Sequence, residues 1–274
     1  MAKIIEKQQL APGIFLMRVK APLIASKRKA GQFIILRVSE HGERIPLTIV
    51  DSDVKAGTIT LVFQVVGKTT SLLSRLNRGE EIMDLAGPLG DPTRIEKFGT
   101  VAVLGGGIGI AVAYPIAKAM KEKGNKVISI IGARTKDLLV LEKEIASVSD
   151  EIIVSTDDGS YKRKGLITEP LLEVLKRGLK PDRVVAVGPV PMMRAISELT
   201  RPFGVKTIVS LNPIMVDGTG MCGACRVVVG GKTRFACVDG PEFDGHQVDF
   251  DDLSLRLRAY AEQEKKAFEA YRAA

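Results

Sequence analysis

Asp217, Cys222, Cys225 and Cys237 are the residues of this chain whose types and spacing could hold a metal centre. All three cysteines of the 274 residues fall within a stretch of sixteen, and with the aspartate they read D-x4-C-x2-C-x11-C. C-x4-C-x2-C…C is a [2Fe–2S] spacing, so Asp217 stands where the first thiolate ligand belongs. Gly218, Gly220 and Gly223 would let backbone N–H groups turn toward the sulfides of such a cluster and stabilise their charge. Zinc is the rival, because an aspartate and three cysteines bind Zn2+ tetrahedrally and Cys222-x2-Cys225 suits it. Three structural thiols without metal are the third reading, and Asp217 could be a solvent-facing turn residue rather than a ligand. His41 and His246 lie outside the motif, which argues against a Rieske centre with its two histidine ligands. With a cluster bound, the chain is an electron carrier.

A second stretch could handle phosphates. Gly105-Gly106-Gly107-Ile108-Gly109-Ile110-Ala111 follows an apolar run and opens an amphipathic one. Glycines at a strand-to-helix junction let the backbone approach a pyrophosphate, which the free N–H groups of the helix stabilise. The strict G-x-G-x-x-G pattern is not met, and Gly132-Ala133-Arg134 occupies the place of the acidic residue expected after the second strand. Tight strand–helix packing alone also explains such glycines. These departures point away from an ordinary Rossmann dehydrogenase and toward another nucleotide-binding α/β type.

The elements that must position these residues fall into four pieces. Residues 1–97 read as a β-barrel: Ile59, Leu61, Phe63 and Val65 alternate with their neighbours, and Gly31 marks the entrance of another strand. Residues 98–210 read as a doubly wound α/β domain. Strands are expected at 100–104, 127–131, 152–155 and 184–187, and helices at 108–123, 138–147, 168–177 and 191–202. Residues 211–248 hold the cysteine loops. Residues 249–274 read as a C-terminal helix with Leu253, Leu257 and Tyr260 on one face and aspartates at its start.

Composition narrows the function classes. Charged residues are 26% and hydrophobic ones 45%, an ordinary globular balance, and no apolar run approaches the roughly 20 residues of a membrane span. The N-terminus shows no signal-peptide pattern, and clustered cysteines fit a reducing compartment, so the cytoplasm is expected. The net charge of +8 is spread along the chain without an aromatic platform for nucleic acid. Anionic cofactors, or an acidic carrier such as ferredoxin, are the expected partners of that charge.

The glycine turn and its flanks resemble the ferredoxin-reductase superfamily, in which a flavin barrel precedes a nicotinamide-binding α/β domain. Arg44-Ile45-Pro46-Leu47-Thr48 is similar to the family's R-x-P-[LI]-[ST] motif. The resemblance implies that Arg44 contacts the FAD diphosphate and Thr48 the isoalloxazine ring. It extends to Phe63-Gln64-Val65, and to Thr69 and Thr70 where a Gly-Thr pair usually touches the flavin. Gly105, Gly106, Gly107, Gly109 and Ile110 then bind the NAD(H) pyrophosphate. Thr156-Asp157-Asp158-Gly159 resembles the segment near the adenosine ribose, where carboxylates favour NAD over NADP, although Arg134 argues the other way. Gly188, Pro189 and Met192 match the G-P-x-x-M turn beside the nicotinamide.

Within the superfamily, a C-terminal C-x4-C-x2-C-x11-C domain marks the electron-transfer subunits of type B dihydroorotate dehydrogenase. Aspartate in the first place resembles the small subunits of NADH-dependent reduced ferredoxin:NADP+ oxidoreductases, also described as sulfide dehydrogenase subunit beta. This resemblance implies an electron-transfer subunit that uses NAD(H), FAD and a [2Fe–2S] cluster, with no acid–base residue of its own. The implied partner is a large subunit with a second flavin and [4Fe–4S] clusters that handles NADP(H) and ferredoxin by electron bifurcation. The C-terminal helix would dock it or pack on its own domain. The alternatives are the dihydroorotate-type subunit and, outside enzymes, a zinc-stabilised scaffold.

Overall fold

The structure is a computed structural model that describes every residue but Leu179 and Ala274, with Ala273 described by its main chain only. The chain divides into two compact units: residues 1–91, 212–239 and 249–274 form the first, and residues 92–211 and 240–248 the second.

The first unit begins with β1 (Ala2–Ala11), β2 (Ile14–Lys20), α1 (Pro22–Lys27), β3 (Phe33–Arg37), β4 (Arg44–Asp53), β5 (Thr58–Gln64), α2 (Lys68–Arg75), β6 (Glu81–Ile82) and β7 (Asp84–Leu89). Its strands make an antiparallel sheet in the order β6-β1-β2-β5-β4-β3-β7. Period-two patterning turns one face inward. Ile4, Met17, Ile34, Ile49, Leu61 and Ile82, from six different strands, meet in one buried cluster that α2 closes with Leu73. A sheet whose strands all feed one core has curled into a barrel.

The second unit runs through β8 (Thr100–Gly106), α3 (Gly109–Glu122), β9 (Lys126–Ala133), α4 (Glu142–Ser147), β10 (Glu151–Thr156), β11 (Arg163–Lys164), α5 (Thr168–Lys176), β12 (Arg183–Val187), α6 (Val190–Thr200) and β13 (Lys206–Ser210). The strands β8, β9, β10, β12 and β13 are parallel neighbours. The central strands β8, β9 and β12 are buried on both faces and accordingly read as Val/Ile runs. The expected helix over 138–147 is shorter, because Leu141 takes a left-handed φ of 56° and α4 starts only after it. The strand β13 has no counterpart among the sequence expectations.

The cysteine segment supplies a small hairpin, β14 (Arg226–Val229) and β15 (Lys232–Phe235). The chain then adds β16 (Glu242–Asp244) antiparallel to β13, completing the order β11-β10-β9-β8-β12-β13-β16. Two helices follow, α7 (Phe250–Leu257) and α8 (Ala261–Ala273), in place of the single expected one. Asp249 caps α7 by accepting from the Asp251 and Asp252 N–H groups. The helical phase breaks over Arg258–Tyr260, so Leu253, Leu257 and Tyr260 do not form one free face. Leu253 is fully buried and Tyr260 is exposed. Arg75 of α2 lies 4.8 Å from the Tyr271 ring of α8.

Candidate functional site

Strand alternation sorts the barrel residues first. On β4, Ile45 and Leu47 pack against the core and Ile49 belongs to it, so Arg44, Pro46 and Thr48 lie on the opposite face. Pairing with β3 covers Arg44–Thr48, whereas pairing with β5 begins only at Ile49. One edge of β4 is thus unpaired along the motif, which tolerates Pro46 and leaves main-chain groups for a ligand. Leu47, Phe63 and Val65, expected at the flavin, turn their side chains toward the core. Phe63 is a core residue stacked on Phe15 at 5.9 Å, and Val65 also packs against the core. Phe63 is buried and could meet a ligand only through its main chain, whereas Leu47 and Val65 are partly exposed. Gln64 lies on the other face.

The Thr69 and Thr70 hydroxyls are engaged as well. Thr70 Oγ1 accepts from the Val66 and Gly67 N–H groups at 3.0 and 3.1 Å, which caps α2. Thr69 Oγ1 donates to Glu43 Oε2 at 2.5 Å. What remains at this helix start is its own N–H groups. Glu43 was not anticipated, and its only sequence signal is adjacency to Arg44.

Cys225 and Cys237 are buried with their sulfurs 3.1 Å apart, whereas Cys222 is exposed. Asp217 Oδ2 accepts from Cys222 N at 2.8 Å and its Oδ1 from Thr219 N at 2.9 Å. Those hydrogen bonds, the one from Thr219 foremost, hold the Asp217 carboxyl below the usual carboxylate range. Burial, then the Cys225 contact, pushes the Cys237 thiol up to about 12. Gly218 seats the loop: its φ is 75°, and an added Cβ would lie 2.7 Å from Leu89 and 2.8 Å from Ile35 on the barrel. Among the described residues no three His, Cys, Asp or Glu side chains converge on one point. The four expected ligands instead form two pairs, Asp217 with Cys222 and Cys225 with Cys237. A tetrahedral zinc needs all four donors around one ion; a two-iron cluster takes two per iron, so the donor set and its pairing fit a [2Fe–2S] centre.

In the second unit the glycine turn joins β8 to α3. A Cβ on Gly105 would lie 2.7 Å from Ile110 Cα, and one on Gly109 would run into the Val187 carbonyl. These two glycines serve strand–helix packing, and Ile110 is itself fully buried. Gly107, at a φ of 56°, faces open space and is the glycine offered to a ligand. Met192 reaches back over Gly106 and Gly188, next to Pro189 at the start of α6.

The acidic segment lies at the end of β10. Thr156 is fully buried, and its hydroxyl holds the Tyr161 main chain at 3.0 and 3.1 Å. Its side chain thus shapes the turn after β10. Asp158 accepts from the Ser160 N–H and hydroxyl at 2.9 and 2.7 Å, across the Gly159 turn. Asp157 is exposed. Elsewhere in this unit Glu242 accepts from Thr93 Oγ1 at 2.5 Å, and burial pushes its carboxyl up to about 7. No pattern in the sequence marked that pair.

Residues 212–249 match the family model of the iron–sulfur cluster binding domain of dihydroorotate dehydrogenase B. Over 98% of this chain and 95% of the other, it is 49% identical to the dihydroorotate dehydrogenase B (NAD(+)) electron transfer subunit homolog of Thermotoga maritima. The corresponding electron transfer subunit of Fusobacterium nucleatum is 32% identical over 90% of this chain and 96% of its own. The chain belongs to this family of electron-transfer subunits. It is thus an oxidoreductase subunit that carries the family's iron–sulfur domain. One solved structure, described as NADH-dependent reduced ferredoxin-NADP oxidoreductase in a study of flavin-based electron bifurcation, is 48% identical. It covers 99% of this chain and 98% of its own, with a TM-score of 0.93. The fold is ferredoxin-reductase-like: barrel, α/β sheet and C-terminal iron–sulfur domain. Among the described residues no helix is long and apolar enough to cross a membrane.

Proposed function

We propose that this chain is the NAD(H)-linked subunit of a heterodimeric, electron-bifurcating NADH-dependent reduced ferredoxin:NADP+ oxidoreductase of the cytoplasm. The observation that carries the reading is Asp217 in the first ligand place, its carboxylate tied to the Cys222 main chain. The solved oxidoreductase that resembles the chain over nearly its whole length supports it. Arg44 offers a permanently charged planar fork to the FAD diphosphate, helped by the free N–H groups of α2. Pro46, Thr48 and Gln64 line the face on which the flavin would lie. Gly107 and the start of α3 receive the pyrophosphate of NAD(H), Asp157 the adenosine ribose, and the Gly188–Met192 turn the nicotinamide end. Asp217 and Cys222 would hold one iron, and Cys225 and Cys237 the other. Because the Cys237 thiol keeps its proton at neutral pH, cluster assembly releases protons. Bound FAD would supply the conversion between the electron pair carried by one hydride from NADH and single electrons for the cluster. No side chain of this chain is assigned proton transfer. The partner would be a large subunit with a second flavin and [4Fe–4S] clusters that handles NADP(H) and ferredoxin.

A second reading follows from the names of the relatives: the electron-transfer subunit of a type B dihydroorotate dehydrogenase. The native complex, purified without oxygen, separates the two. We expect about two irons and two sulfides per copy of this chain beyond those of the partner, and NADP+ reduction that needs both NADH and reduced ferredoxin. Dihydroorotate oxidation by the same complex would instead establish the second reading, and zinc in place of iron would overturn both.

A further inference from the structure

The two halves of the FAD diphosphate site come from different elements, and one side-chain bond joins them. We infer that Glu43 and Thr69 form a clasp that holds the Arg44 end of β4 against the start of α2, and that this clasp sets how tightly the chain retains FAD. The inference rests on the flavin-binding reading above and adds a positioning pair to it.

Each half is uncommitted. Arg44 is exposed and makes no hydrogen bond or ion pair among the described residues, although Glu43 is its neighbour. The main-chain N–H groups of Lys68, Thr69 and Thr70 open α2 with no acceptor among the described residues. A guanidinium and three free N–H groups suit two linked phosphates, provided that they stand at a fixed separation. Backbone pairing does not fix it. The start of β4 is held by β3 alone, through the Arg37–Arg44 pair, and its other edge meets β5 only from Ile49. The helix α2 is anchored one turn later, by Leu73 in the barrel core.

The clasp spans this gap. Thr69 Oγ1 donates to Glu43 Oε2 at 2.5 Å, across 26 positions of sequence. Among the described residues it is the one hydrogen bond or ion pair between residues 40–48 and 66–75. Thr69 is only 5% exposed, so its hydroxyl would lose its partner, with little water to replace it, if Glu43 were absent. Thr70 cannot take over, because its hydroxyl already caps the Val66 and Gly67 N–H groups. The bond also engages the Glu43 carboxylate away from Arg44, whose charge is left for a ligand. Threonine at position 69, in place of the glycine of the usual Gly-Thr pair, thus has a partner of its own.

The test uses the full chain, loaded with FAD and freed of it. Glu43→Ala and Thr69→Val should each speed FAD release, followed by the return of its fluorescence, by about tenfold, the size of one charge-assisted hydrogen bond. The double variant should release FAD no faster than the faster single one, because both changes remove the same bond. Glu43→Gln keeps an acceptor for Thr69 and should stay within about threefold of wild type. The gap in melting temperature between the loaded and the flavin-free chain should narrow in Glu43→Ala and persist in Glu43→Gln. A residue that serves the fold alone would lower both temperatures and keep the gap. Glu43 is exposed, so its two variants decide the matter should Thr69→Val fail to fold. Wild-type release from Glu43→Ala, or additive effects in the double variant, would overturn the clasp while Arg44→Ala still loosens FAD. If Arg44→Ala also releases FAD at the wild-type rate, the diphosphate reading falls and the clasp with it.

Discussion

Replacing Glu242 by glutamine should change how stability depends on pH. Glu242 opens β16, accepts from Thr93 Oγ1 at 2.5 Å, and has its carboxyl pushed from an ordinary 4.5 up to about 7. Burial raises it, and the Thr93 hydrogen bond and the Arg183 charge partly oppose the rise. A carboxyl whose folded value is raised keeps a proton that the unfolded chain has lost. Its favourable contribution is complete below about pH 4.5 and disappears as the pH climbs through 7. The gap between 4.5 and 7 corresponds to about 3 kcal/mol. Part of the Glu242 side chain still meets solvent, which trims this to about 2 kcal/mol. Glutamine can still accept from Thr93 and never ionises. Between about pH 5 and pH 8 the wild-type chain should therefore lose about 2 kcal/mol more stability than Glu242→Gln. Urea unfolding of both proteins, followed by far-ultraviolet circular dichroism across that range, measures the difference. Parallel pH profiles would refute the reasoning, because they would mean that Glu242 has the same proton affinity folded and unfolded.

Two further outcomes follow from packing. Gly109→Ala should destabilise the second unit by about 1–3 kcal/mol, since the new methyl group meets the Val187 carbonyl; a thermal-shift measurement with an unchanged midpoint would contradict the close approach of α3 to β12. Removing residues 261–274 takes away the Arg75–Tyr271 contact on α2 and should cost about 1 kcal/mol. Flavin should then be released at a lower temperature while the heterodimer persists, and loss of the heterodimer would instead assign α8 to the partner.

The barrel and the alternating α/β sheet were legible because both periods are written in apolar residues. Ile59, Leu61 and Phe63 alternate, and the runs at 101–104 and 184–187 are apolar throughout. That same alternation places the Phe63 side chain inside the core. The short strand β16 and the polar start of β13 carry too little pattern to read. The break between α7 and α8 has no glycine or proline to announce it. The four expected ligands come from spacing alone, while their grouping into two pairs is a matter of tertiary packing that spacing does not carry. Glu242 and Thr93 are 149 positions apart, and a carboxylate buried by tertiary contacts leaves no local trace.

The order of the segments bears on how the protein is made. The first unit includes residues 212–239 and 249–274, and the sheet of the second is incomplete until β16 at Glu242–Asp244. A ribosome working from the N-terminus therefore completes the second unit only at Val248, and the first only after it. The seven barrel strands and α2 are present by Leu89, but the cysteine loop and α7 and α8 join that unit only after the whole α/β segment has been made. A chain stopped after Val248 would hold every residue of the second unit but lack α7 and α8 of the first, so the barrel-bearing unit is the last to be completed.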